Sequence, residues 1–158
     1  MSLKEMRCSY NITQSQAAKI SNMPLRTYIR YEEDEQYGNV LKRERITDLL
    51  KSNCEVTEDK GILTVETIKS KVKAVLQEYK NVVDFCYLFG SYAKGYAKDN
   101  SDVDLCIGTT LTGFKYVGLV ESLRTALNKR VDLLRISDLK DDIKIVEEIM
   151  KDGIKIYG

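Results

Sequence analysis

At 158 residues the chain can form one domain of ordinary size or two small ones, and 25 basic against 24 acidic residues leave no overall charge for gripping a polyanion. With no histidine, and four cysteines scattered without a CxxC pair, it offers no zinc site of the usual Cys/His type. No apolar run approaches the roughly 18 residues that span a bilayer, and the N-terminus lacks a signal-peptide core, so a cytoplasmic protein is expected.

The charge is balanced overall but not locally. Residues 1–30 contain Lys4, Arg7, Lys19, Arg26 and Arg30 against the single acid Glu5, and an acidic run, Glu32 to Glu35, follows. Met1-Ser2-Leu3 is assigned no structural role. Thr13 is placed to cap a helix over residues 14–20, with Gln16 at the capping-box position. Ser21-Asn22-Met23-Pro24 breaks that helix, and a second follows over residues 25–32, Pro24 being tolerated at a helix start. Ala17, Ala18 and Tyr28 are expected to face inward, the two alanines permitting a close crossing.

This segment resembles the XRE/Cro-type helix-turn-helix domains, with their T-Q helix start, small-residue pair and short turn before the recognition helix. The resemblance implies that Leu25, Arg26 and Arg30 face base edges and that Gln14 and Thr27 touch phosphate. It also implies operator DNA as a partner and a homodimer on paired half-sites. Asn22 stands where the turn usually has glycine, and asparagine tolerates the left-handed conformation. A helical hairpin used for protein contact is the alternative; the local basic bias favours DNA.

Residues 39–52 read as a further amphipathic helix, with Val40, Leu41, Ile46, Leu49 and Leu50 closing a small helical domain, 1–53. The polar stretch Asn53 to Gly61 is the linker candidate, giving a linker over 54–63 and a second domain over 64–158. That domain opens with a helix over 65–79, apolar at Ile68, Val72, Val75, Leu76 and Tyr79. Two apolar runs, 82–89 and 105–107, read as strands and enclose Cys86 and Cys106 as core thiols. A helix over 114–127 follows, with Val117, Val120, Leu123 and Leu127 along one face. Next come a strand over 131–135, a helix over 141–151 and a short strand over 154–157. The fold class is α+β: an all-α N-terminal domain, then a small mixed sheet backed by helices.

Residues 90–108, GSYAKGYAKDNSDVDLCIG, carry the chemistry. Gly90-Ser91 is followed after ten residues by Asp102-Val103-Asp104. In a strand Asp102 and Asp104 share a face, where a divalent cation would relieve their repulsion; magnesium takes such carboxylates together with substrate phosphates. The Gly-Ser turn lets backbone N–H groups and a hydroxyl approach phosphate oxygens. Without histidine, a general base must be a carboxylate, lysine, tyrosine or metal-bound water.

The pattern resembles the GSx10DxD signature of the DNA polymerase β-type nucleotidyltransferases. It is most similar to the minimal (MNT) members that pair with HEPN proteins in toxin–antitoxin modules. The resemblance implies a third acid on a neighbouring strand, for which Asp132 is the candidate. It further implies a nucleotide site at Gly90, Ser91 and Lys94, with arginine more usual than Lys94. Asp102, Asp104 and Asp132 would be catalytic and would bind metal, two Mg2+ ions, with ATP as nucleotide donor. The implied acceptor is a tyrosine hydroxyl of a HEPN toxin, with autorepression through the N-terminal helices. Two alternatives stay open: a non-catalytic DNA-binding antitoxin, and a small-molecule enzyme of the aminoglycoside type.

Overall fold

The computed structural model describes residues 1–158 and divides into two compact units, Met1–Glu55 and Val56–Gly158. The first unit is all helical: α1 (Leu3–Ser9), α2 (Gln14–Ile20), α3 (Leu25–Glu33) and α4 (Val40–Cys54). Thr13 and Gln16 form a reciprocal capping box at the start of α2, which satisfies two otherwise orphaned N–H groups. Asn22 adopts the left-handed conformation, φ 53°, in the turn between α2 and α3. Ala17, Ala18 and Tyr28 are buried, packed with Leu3, Met6, Tyr31, Ile46 and Leu50.

Three expectations for this unit are corrected. Ser2 and Glu5 build a second capping box, on α1, and Leu3 is buried, so the opening residues are structural. Val40 and Leu41 are 70% and 72% exposed, leaving Ile46 and Leu50 as the inward face of α4. Their positions suit the helical period, but they lie on the first turn, short of the core. The segment expected as a linker is also shorter, because α4 runs to Cys54 and residues 56–61 belong to the second unit. There Thr57 and Lys60 form a β-bridge, Glu58 pairs with Arg124, and Asn128 donates to the Val56 carbonyl.

The second unit holds a four-stranded mixed sheet in the order β3-β2-β1-β4. Its elements are α5 (Val65–Gln77), β1 (Val83–Phe89), α6 (Gly90–Lys94), β2 (Val103–Thr109), α7 (Gly113–Leu127), β3 (Val131–Arg135), α8 (Ile143–Asp152) and β4 (Ile154–Tyr157), with a 3-10 turn at Ile136–Asp138. β1 runs antiparallel to β2 and β4; β2 and β3 are parallel, joined by the crossover through α7. Alternation along the strands divides the two faces. Cys86, Leu88, Val103, Leu105, Ile107 and Leu133 pack with α5 and α7. Phe89 and Cys106, with Tyr87 and Leu134, pack against Ile145, Val146 and Ile149 of α8. The inner face of α7 is Leu119, Leu123 and Leu127; Val117, expected on it, is 55% exposed. A spacing of four from Leu119 continues through Leu123 and Leu127, whereas Val117 is rotated off that row. No helix is long and apolar enough to cross a membrane.

Candidate active site

On the α8 face of the sheet, three short elements bring the chemistry together. Phe89, the last residue of β1, pairs with Asp104 of β2, so Gly90 begins the next turn beside the Asp104 carboxylate. Gly90 has φ +73°, and a Cβ there would lie 2.1 Å from Asp104 Oδ2. Glycine is therefore required twice, for its left-handed backbone and for the close approach. Asp104 sits directly beside Asp132 in the parallel pairing of β2 and β3, and register partners share a face. Asp102 precedes β2, is half exposed, and accepts from Arg130 Nε at 3.0 Å.

Asp104 is poorly compensated. It has no cationic partner, and burial together with the charges of Asp132, Asp102 and Glu148 pushes its pKa up to about 6. A like-charged cluster of this kind is what a bound cation would relieve. No three carboxylates or thiols already form a finished metal cage. The donor set is nonetheless all oxygen and strongly anionic, and glycine at position 90 places no side chain against the Asp104 carboxylate, which suits a hard divalent cation.

Lys94, at the end of α6, forms an ion pair with Glu148 of α8 at 2.6 Å, and this partner holds the ammonium pKa above its ordinary value. Glu148 was not singled out in the sequence. Its signal is the helical spacing from Ile145 and Ile149, which packs α8 on the sheet and aims the flanking position toward α6. Arg130 was missed as well; it directly precedes the strand carrying Asp132. Ser91 is half-buried on the first turn of α6.

The structure thus brings together Gly90, Asp104 and Asp132, with Asp102 and Lys94 at the edges held by Arg130 and Glu148. In the other unit, Leu25 and Arg26 are exposed on the first turn of α3, and Arg30 lies one turn on, its guanidinium 5.9 Å from the Tyr37 ring centroid. Thr27 is half-buried. Gln14 is drawn inward, its amide donating to Glu32 Oε1 at 3.1 Å.

Comparison with known proteins places this geometry in a family. The polymerase β nucleotidyltransferase profile matches residues 70–158. The protein adenylyltransferase MntA of Thermococcus cleftensis is 37% identical over 87 residues, 52% of this chain and 88% of that protein. The protein adenylyltransferase MntA of Shewanella oneidensis is 28% identical over 93 residues, 57% of this chain and 65% of that protein. A crystal structure of a toxin–antitoxin with AMP-PNP superimposes with a TM-score of 0.50 at 25% identity, over 57% of this chain and 73% of that one. The chain belongs to the polymerase β nucleotidyltransferase family and is a minimal nucleotidyltransferase of the MNT type.

Proposed function

We propose that this enzyme transfers AMP from ATP to a hydroxyl, a tyrosine, of a HEPN-type toxin in the cytoplasm, and that the N-terminal unit binds the operator of the same module. The observation that carries the reading is the contact between the Gly90 α-carbon and the uncompensated Asp104 carboxylate. It joins a phosphate-binding turn to the acidic cluster without an intervening side chain. The names of the relatives supply the acceptor class and the partner.

Backbone N–H groups at Gly90 and Ser91, with the Ser91 hydroxyl, receive the triphosphate. Lys94 exchanges Glu148 for a phosphate oxygen and offsets charge on the departing pyrophosphate. Asp132 orients the acceptor hydroxyl and takes its proton as the oxygen attacks the α-phosphorus. The new P–O bond forms as the α–β anhydride bond breaks, leaving AMP on the acceptor. Asp102, Asp104 and Asp132 would hold magnesium, which supplies charge neutralisation at the entering and leaving oxygens. In the N-terminal unit, Leu25, Arg26 and Arg30 read base edges while Gln14 and Thr27 approach phosphate, as a homodimer on two half-sites.

The test is silencing at low ratio. With ATP and magnesium, catalytic amounts of the wild-type chain inactivate excess toxin, which gains one or more AMP masses on tyrosine. Asp132→Asn binds the toxin equally well and fails to silence it below one equivalent, because the lost carboxylate acts on the transition state rather than on docking. Residual toxin ribonuclease activity is read against molar ratio, with and without ATP. A break at one equivalent in both conditions would replace catalysis with simple capture.

A further inference from the structure

Lys129 is completely buried, a rare state for an ammonium group. Its Nζ donates to the carbonyls of Glu58 and Lys60, each at 3.3 Å, and to the carbonyl of Asp99. Three donors thus meet three main-chain acceptors, the full capacity of a lysine. No carboxylate is needed. The acceptors come from two segments distant in sequence: the β-bridged turn 56–61 and the turn 98–101, which leads directly into Asp102.

The neighbouring residue grips the same turn from outside. Arg130 Nη2 donates to the Asn100 carbonyl at 3.3 Å, and its Nε to Asp102 at 3.0 Å. The Val103 N–H donates to the Arg130 carbonyl at 2.9 Å, just where β2 and β3 begin to pair. Two residues past Arg130 lies Asp132. The approach to β2, with Asp102 and Asp104, and the approach to β3, with Asp132, are therefore clamped by one dipeptide. A neutral aliphatic side chain at 129 could fill the space but could not tie the two turns together.

We infer that Lys129 is a positioning residue for the acidic cluster, and that the turn 56–61 is a working part of the transferase site although it precedes the matched family region, 70–158. Lys129 is fully buried and so presents no surface to a nucleotide or an acceptor. It fixes the turn that leads into Asp102 against the start of the strand that carries Asp132. A misplacement of about 1 Å at such a site can cost about a hundredfold in rate.

Hydrogen exchange and transfer kinetics on the full chain test this. In Lys129→Met, the Ser101 and Val103 amides should exchange at least about tenfold faster, while the β1 amides Cys86 to Leu88 keep wild-type protection. The kcat for label transfer from α-labelled ATP to the toxin proposed above should fall by about ten- to a hundredfold, with KM for ATP within about twofold. Glu58→Ala removes the outer anchor of the 56–61 turn without touching the nucleotide site. It should shift the same two amides in the same direction by about two- to threefold. Unchanged protection at Ser101 and Val103, or equal loss of protection in β1, would overturn the inference. If Lys129→Met fails to fold, Glu58→Ala decides by the same amides. Only the kinetic arm rests on the proposed acceptor: a wild type inactive toward the toxin sinks that proposal, while exchange still judges Lys129.

Discussion

Each unit withdraws an acidic residue from water, Glu32 almost fully and Asp104 in part, and the two acids are treated in opposite ways. Glu32 of the helical unit is 7% exposed and receives Arg7 through both carboxylate oxygens, at 2.8 and 2.9 Å, with Gln14 adding a third bond. That partnership lowers its pKa. Asp104 of the transferase unit lies among Asp132, Asp102 and Glu148 with no cation beside it, and its pKa is raised. A buried acid with a complete set of donors organises a fold. A partly buried acid crowded by like charges and left without donors is destabilising until something binds, and the destabilisation marks where a ligand belongs.

The largest effect expected from this contrast is on turnover. Asp104→Ala should reduce nucleotide transfer by about a hundredfold or more while leaving the fold intact, because the change removes repulsion along with the ligand. Label transfer measured beside circular dichroism checks both halves. A folded variant with wild-type transfer would break the contrast at its functional end.

The mirror experiment targets Glu32. Glu32→Ala strands the mostly buried Arg7 guanidinium and should cost about 3 kcal/mol in urea unfolding of the helical unit. The double change Arg7→Met with Glu32→Leu should recover most of that loss, since an apolar pair of similar volume carries no uncompensated charge. If the single change is neutral, the pair is not organising that unit.

A smaller effect concerns DNA. Arg26→Ala should weaken operator binding by about 1–3 kcal/mol and relax preference at one base position, as expected for an exposed arginine reading guanine. Binding to the upstream region of the gene, compared with random duplex at two salt concentrations, measures it. Wild-type binding without sequence preference would assign α3 to a protein contact instead.

The smallest effect is a pH profile. Asp104 has a folded-state pKa of about 6, above the ordinary value of 3.8. The folded state therefore binds this proton more tightly than the unfolded chain does. The resulting stabilisation is fully present below about pH 4 and is lost as pH rises through 6. In metal-free buffer, the thermal stability of wild type relative to Asp104→Asn should decline across that window. Magnesium added at pH 7 should raise the wild type more than the variant. A flat difference would mean that Asp104 carries no buried-charge penalty.

The readable parts of this protein are those set by near neighbours in the chain. Thr13 and Gln16, three residues apart, announce their capping box; Asn22 announces a left-handed turn; the apolar runs around Cys86 and Cys106 announce strands. The Gly90-Ser91 to Asp102-Asp104 spacing was legible for the same reason: one strand, one turn and one short helix have few lengths that fit. What misled was the periodic reading carried past its reach. Val40 and Leu41 suit an apolar face but lie short of the core, and Val117 is rotated off the row Leu119, Leu123 and Leu127, so all three stay exposed.

The sequence by itself determined the order of elements from α2 onward, the nucleotidyltransferase signature and the candidate acids, because capping, apolar patterning and motif spacing act over a few residues; α1 was not among them. Only the tertiary structure decided that Glu148 meets Lys94, that Lys129 reaches carbonyls 30, 69 and 71 residues away, and that Asp104 is left uncompensated. Those outcomes depend on which groups are brought close and which are withdrawn from water. Local sequence does not encode either quantity, because each is a property of the packed sheet and helices as a whole.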